Sequence, residues 1–386
     1  MNRRGFGCAL CALAALAAMR AAGGQTSPEF VRPGHRPPPD TDEGGLWSVM
    51  DRAERDLRTS RFVVRDRALN AYLREVVCRL GKDHCPDLRL YVVRTPQFNA
   101  SMAPNGMMQV WTGLLLRCVD EAQLAAILGH EMGHYLRRHS LERFRDARDK
   151  SNFGAFLSLG LAVAGAGIAG VIANLALLAS TFAYSREQEH EADRIGLELM
   201  ASAGYARIAA AEVWEQLIAE LAAGTVERSQ NVLLATHPDP EERLGALRAA
   251  AARAGGAEER GIERYRAGLA GVREQIVRDE LSLRQYGRSE VVFDRLLAQA
   301  PGDGLLWYGK GEVYRLRAES GDPARAMEAY ARALETRAAP PDTHRSIVMV
   351  ELKQGNKERA QAALDAYLKA KPEAPDAGAL RMLLEQ

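Results

Sequence analysis

Residues 120–139 read DEAQLAAILGHEMGHYLRRH, and the rest of the chain is understood from this stretch. Asp120 and Gln123 form a capping-box-like start, so a helix is predicted from there through about His139. On such a helix His130 and His134 are four residues apart and share one face. Both imidazoles can then point at a single ion, with Glu131 beside them. With 8 His and 50 Asp or Glu in 386 residues, an accidental match to this pattern is expected in below about 2% of such chains. The pattern therefore reads as a metal site rather than as two histidines of a core.

Two imidazoles cannot hold a catalytic zinc; a third protein ligand is needed, with one position left open for water. Ser185-Arg186-Glu187-Gln188-Glu189-His190-Glu191-Ala192-Asp193 supplies candidates. Glu189 and Asp193 are four apart and share a face. Glu189 is expected to ligate the metal, and Asp193 to accept the free ring N–H of a ligand histidine and so fix its tautomer. Glu187 and Glu191 point elsewhere and read as solvated, and neutral His190 is a lesser rival as ligand. His237, a lone histidine before Pro238, is equally readable as a capping residue.

Length suggests two to three domains, and 47% hydrophobic with 26% charged residues excludes wholesale disorder and a rod. Residues 1–24 carry Arg3 and Arg4, an apolar run from Cys8 to Met19 and small residues after it. This is the pattern of a secretory signal peptide, the alternative being a retained anchor. Its removal leaves 48 basic against 50 acidic residues, which gives no electrostatic reason to bind nucleic acid. Export permits a disulfide, and Cys78 and Cys85 are close enough to form one or to remain inert thiols; Cys118 reads as a small buried hydrophobe.

Residues 25–45 read as a Pro-rich linker. A helix is predicted from Leu46 to about Leu80, stopped by Gly81, then a strand over Leu88–Val93, a loop, and a second strand around Met107–Thr112 after an Asn105-Gly106 turn. Later helices are expected to stop near Gly204 and Gly224. Residues 151–185 carry no charge, yet His134 precedes them and Glu189 follows. If the metal site exists this segment turns back as two short helices, packed on the domain or touching a membrane surface. Gly287, Gly321 and Gly355 recur every 34 residues, the tetratricopeptide period, and the best copy runs Trp307, Lys310, Gly311, Tyr314, Ala326, Tyr330, Ala333. The fold class is thus α+β and mostly helical: a metal-binding domain over 46–250 with a small sheet, connecting helices over 251–284, and an α-solenoid of tetratricopeptide-like repeats over 285–386.

The His-Glu-x-x-His motif followed by Glu189-His190-Glu191-Ala192-Asp193 resembles the gluzincin peptidases that include the CaaX prenyl protease and the heat-shock protease HtpX. Asn99-Ala100, the segment Asn105–Thr112 before Gly113-Leu114-Leu115, and His237-Pro238 followed by Arg243 match that family as well. With the leader and the repeats, the likeness is to its periplasmic branch that assists outer-membrane assembly. The resemblance implies one Zn2+ per chain on His130, His134 and Glu189, with Glu131 as general base. It implies that His237 contacts the zinc or stabilises the developing oxyanion, with Arg243 supporting it. Substrates are expected to be unfolded or misassembled proteins, held by main-chain pairing along Met108–Thr112, and the repeats to engage assembly machinery. The rival expectation is a chaperone or scaffold whose peptidase centre is latent, especially if His237 fills the open metal position.

Overall fold

The computed structural model of the protein describes residues 30–149, 184–224, 237, 240–253, 259–336 and 338–385. The signal-like residues 1–24 and nearly all of the apolar stretch 151–185 lie outside the described residues.

Thr41 caps helix α1 (Asp42–Thr59), its hydroxyl accepting from the Gly44 N–H at 3.1 Å, so the helix takes in the end of the segment predicted to be an irregular linker. The single helix predicted from Leu46 to Leu80 is in fact two, α1 and α2 (Arg67–Gly81). Between them the chain joins the sheet: Val64 N donates to Val92 O at 2.9 Å and Arg94 N to Phe62 O at 2.7 Å. Asp66 then restarts the helix by accepting from Leu69 N at 2.8 Å. Leu57 and Leu69 are both fully buried, so the apolar spacing continues across a break it does not register. Cys78 and Cys85 are joined, tying the end of α2 to the 3-10 turn Lys82–Asp87.

The sheet has three strands, β1 (Arg89–Val93), β2 (Ala100–Met102) and β3 (Met107–Trp111), in the order β1-β3-β2. β1 runs parallel and β2 antiparallel to β3. β2 falls in the stretch predicted as loop, being too short for apolar alternation to show. Gly106 makes the turn before β3 with φ 87°. β3 is the central strand and is buried throughout, with both edges paired. The peptide-holding role expected of Met108–Thr112 is therefore closed to it; the sheet ends on that side at β2.

β3 leads directly into α3 (Thr112–Arg117), and α4 (Glu121–Leu136) follows. Asp120 Oδ1 accepts from Gln123 N at 2.8 Å, while Gln123 Oε1 reaches back to the Val119 N–H at 3.0 Å. α4 ends three residues before the predicted limit, because Arg138 turns left-handed at φ 57° and His139 opens a new helix, α5 (His139–Asp149). Next come α6 (Arg186–Ser202), α7 (Ile208–Ala222) and α8 (Pro240–Ala252), then α9 (Ile262–Leu269), α10 (Arg273–Ser282) and α11 (Tyr286–Gln299). The C-terminal part comprises α12 (Gly304–Arg317), α13 (Asp322–Leu334), α14 (Asp342–Lys353), α15 (Lys357–Ala370) and α16 (Ala377–Glu385). Gly321 and Gly355 sit at helix starts with φ 83° and 80°, whereas Gly287 lies inside α11. A Cβ on Gly311 would meet the Tyr330 ring at 2.4 Å, so α12 and α13 approach closely there. The described residues are predominantly helical, with this one small sheet.

The largest apolar cluster runs from Val31 to Val350, so helices α9 to α14 share it with those before residue 251, whereas α15 and α16 pack in a separate cluster with Val348 of α14. A buried ion network ties the two parts. Arg117 on α3 donates to Glu220 on α7 at 2.8 Å and to Glu280 on α10 at 2.9 Å, and Arg288 on α11 donates to Glu220 at 2.7 Å. Arg117, Glu220 and Glu280 are all at most 2% exposed. Burial alone would push the Glu220 carboxyl up, but Arg117 and Arg288 outweigh it and hold it below the usual range. A carboxylate lowered in the folded state contributes stability above its unfolded pKa of about 4.3 and loses it as pH falls through the lowered value. Arg117→Met leaves Glu280 without its arginine and Glu220 with Arg288 alone, and is expected to cost on the order of 3–5 kcal/mol at neutral pH, read from urea midpoints. Those midpoints should fall less steeply below about pH 4 in the variant than in the wild type; parallel acid limbs would contradict the assignment.

Candidate metal centre

The site begins as a backbone contact. A Cβ on Gly133, inside the His-Glu-x-x-His motif, would lie 2.8 Å from Ala192 O; one on Gly196 would lie 3.0 Å from His130 N. Glycine at these positions lets α4 and α6 cross almost backbone to backbone. Ser185 starts α6 with a full capping box to Gln188. The crossing sets His130 and His134 opposite Glu189 and Asp193, whichever way the intervening residues run.

His130 Nε2 and His134 Nε2 are 3.0 Å apart, and Glu189 places an oxygen 3.5 Å from each. His237 Nδ1 joins them, 3.3 Å from His130 Nε2 and 2.9 Å from Glu189 Oε1. These four buried side chains are the one His/Cys/Asp/Glu group among the described residues able to hold an ion. Donors about 2.0–2.1 Å from a tetrahedral zinc stand roughly 3.3 Å from one another, and the observed spacings bracket that value. Glu189 Oε2 is ion-paired with Arg243 Nη1 at 2.6 Å, while Oε1 faces His134 Nε2 at 3.5 Å and His237 Nδ1 at 2.9 Å. A buried carboxylate oxygen among three imidazole nitrogens is a donor set that fits a borderline-soft divalent cation such as zinc. Glu131 faces the same space, with Oε1 3.6 Å from His237 Nε2.

Around the donors stands a second layer. Asp193 Oδ1 lies 2.9 Å from His130 Nδ1. Arg243, on α8, donates from Nε to Asp193 at 2.8 Å, pairs with Glu189, and rests on the Trp214 ring at 4.1 Å. The arginine thus buttresses the two carboxylates of α6 rather than His237, the residue it was expected to support. His134 stacks on Tyr184, ring centroids 3.7 Å apart, and its Nδ1 is 2.9 Å from His139 Nδ1. His139 Nε2 in turn lies 3.1 Å from Glu191.

Neither His139 nor Glu191 is among the site residues expected from the sequence, Glu191 being read there as solvated. Were α4 continuous to His139, five residues past His134, the ring would sit about 140° round the helix from it; only the left-handed Arg138 swings it back. Glu191 does point away from the donors, as its spacing implied, but it meets His139 instead of water. His190 faces Glu242 at 3.1 Å and is remote from the donors, and Glu187 is exposed.

Burial pushes the Glu131 carboxyl above the usual range. Burial would do the same to Glu189, but His237 and Arg243 hold it well below; Asp193 is likewise depressed, by Arg243 and His130 acting against burial. Burial drives His134 well below the ordinary imidazole value, toward the neutral form that ligates metal. Glu189→Ala is expected to reduce bound zinc from one per chain to none after dialysis, measured by atomic absorption; full occupancy would move the third ligand elsewhere. Gly133→Ala forces backbones apart and should cost about 1–3 kcal/mol of stability and weaken zinc binding. Gly129→Ala, whose Cβ would meet Gly196 O at 3.2 Å, should cost less, and the reverse order would refute the crossing as described.

Residues 64–251 match the model of Peptidase family M48. The mitochondrial metalloendopeptidase OMA1 of Schizosaccharomyces pombe is 35% identical over 155 residues, 40% of this chain and 44% of that protein. The beta-barrel assembly-enhancing protease of Escherichia coli is 27% identical over 242 residues, covering 58% of this chain and 49% of its own. A putative protease of the same description from Vibrio cholerae is 29% identical over 199 residues, 49% of this chain and 40% of its own. The chain spans less than half the length of each of these relatives. The motif, the donors gathered on α4 and α6, and this match agree: residues 64–251 form a peptidase family M48 domain.

Proposed function

We propose that the protein is an exported zinc endopeptidase that hydrolyses peptide bonds of unfolded or misassembled envelope proteins. The observation that carries this reading is the burial of His130, His134 and Glu189 around one point with Glu131 facing it. A zinc ion held there would polarise a scissile carbonyl and lower the pKa of water toward neutrality. Glu131, which faces this space, is placed to accept a proton from an attacking water and return it to the leaving amine, the task of a general base and acid. Asp193 and Arg243 keep the donors in register. Main-chain pairing of an extended substrate with β2 would use the N–H and C=O groups of Ala100 and Met102, which point away from β3 because Asn99 and Ala103 bond it; both residues are buried, so that edge must first be uncovered.

Export rests on the hydropathy of residues 1–24 and is supported by the joined Cys78 and Cys85, a pairing that persists in an oxidising compartment such as the periplasm. Among the described residues no helix is long and apolar enough to cross a membrane; the proposed membrane-surface contact through 151–185 falls outside them. The domain over 46–250 is followed by connecting helices to residue 284, and the helices over 285–386 act as tetratricopeptide-like repeats. The bacterial relatives are beta-barrel assembly-enhancing proteases, and by analogy the repeats of this chain engage assembly machinery of the outer membrane.

One observation favours the second reading, a chaperone or scaffold with a latent centre. With His237 among them the donors number four, as many as a closed structural zinc site has, so a water would need either a fifth position or the withdrawal of His237. A single experiment separates the readings. The purified protein should degrade an unfolded protein, lose that activity to chelator, and lose about 100-fold or more of it in Glu131→Gln with zinc and fold retained. Equal turnover by variant and wild type would end the peptidase reading, and a cellular phenotype kept by the variant would support the chaperone.

A further inference from the structure

The two histidines on α4 are backed by different chemistry. His130 Nδ1 meets a carboxylate directly, Asp193 Oδ1 at 2.9 Å. His134 Nδ1 meets another imidazole, His139 Nδ1, also at 2.9 Å. His139 Nε2 is 3.1 Å from Glu191 Oε2, and Glu191 Oε1 is 2.9 Å from Arg137 Nε. His139 is 1% exposed, whereas the Glu191 side chain is 29% exposed.

The placement of protons along this chain is constrained at both ends. Two Nδ1 atoms at hydrogen-bond distance share one proton: two protons would repel, and none would leave lone pair against lone pair. If His139 Nδ1 donated, neutral His134 would carry its proton on Nε2, the atom that faces His130 and Glu189, and could not ligate through it. His139 would also present an unprotonated Nε2 to the Glu191 carboxylate. In the opposite arrangement every group is satisfied. Glu191 accepts from His139 Nε2–H, His139 Nδ1 accepts from His134 Nδ1–H, and His134 Nε2 keeps a lone pair for the ion. Tyr184, stacked on His134 with an interplanar angle of 15°, holds the ring in the plane this requires.

We propose that His139, oriented by Glu191, is a positioning residue that fixes the tautomer of His134 and so sets the affinity of the metal centre. The inference rests on the metal-binding reading and deepens it. It makes the two histidine ligands unequal, because the negative charge adjoins the ring of His130 but lies one imidazole away from His134. It also carries support from the partly exposed edge of α6 into the buried site, through a residue that a break in the helix brings into range.

The test is equilibrium zinc competition against a fluorescent chelator, with the purified protein and four variants. His139→Leu fills the volume but offers no acceptor and should weaken zinc binding about 10–100-fold. His139→Asn, whose Oδ1 can stand where Nδ1 stood, should return affinity to within about tenfold of wild type. Glu191→Leu acts from the exposed end without opening the buried site and should weaken binding in the same direction by about tenfold or less. Nitrogen NMR should show a hydrogen-bonded His134 Nδ1–H in the wild type and in His139→Asn, lost in His139→Leu. Wild-type affinity in His139→Leu and Glu191→Leu, or an asparagine variant as weak as the leucine one, would overturn the relay while leaving the metal site intact. If His134→Ala binds zinc as the wild type does, the metal reading itself fails and the relay with it.

Discussion

The near contact of two helix backbones is what the remainder of the site depends on. α4 and α6 cross where Gly133 faces Ala192 and Gly196 faces His130. A side chain at any of these glycines would stand in the other helix. The two histidines and the two carboxylates then fall opposite one another without further adjustment, and Arg243 enters from α8 to balance the negative charge of Glu189 and Asp193. Geometry and electrostatics are supplied by separate parts, small residues for the first and buried ion pairs for the second.

A comparable division holds farther from the metal. Arg117, at the end of α3, reaches carboxylates on α7 and α10, and Arg288 closes the set from α11. Buried charges of this kind add little stability compared with apolar packing of the same volume, but they accept only one arrangement of the helices that bear them. α10 and α11 are thereby registered against the domain that carries the metal site, within an apolar cluster that continues to α14.

Much of the site was legible before any coordinates because its signals are local. His130 and His134 are helix neighbours, Glu189 and Asp193 are helix neighbours, and Asp120 and Ser185 announce the helices that carry them. What escaped depends on tertiary events. The pause between α1 and α2 is made by Val64 bonding Val92, a long-range pairing invisible to apolar spacing. β2 is too brief to alternate, and its insertion beside β3 turned an expected edge strand into a central one. His139 and Glu191 approach only because Arg138 adopts a left-handed conformation. The position of His237 among the donors could not be derived from spacing, since it comes from a third segment, 48 residues beyond Glu189.

That last feature has a thermodynamic corollary. The donor atoms come from three distant parts of the chain and are assembled only once those parts have docked, so the unfolded chain offers an ion no comparable binding site. Whatever free energy ligation releases accrues to the native state alone, growing with the logarithm of free cation concentration. The availability of that cation would then govern how long the molecule lasts as well as whether it works.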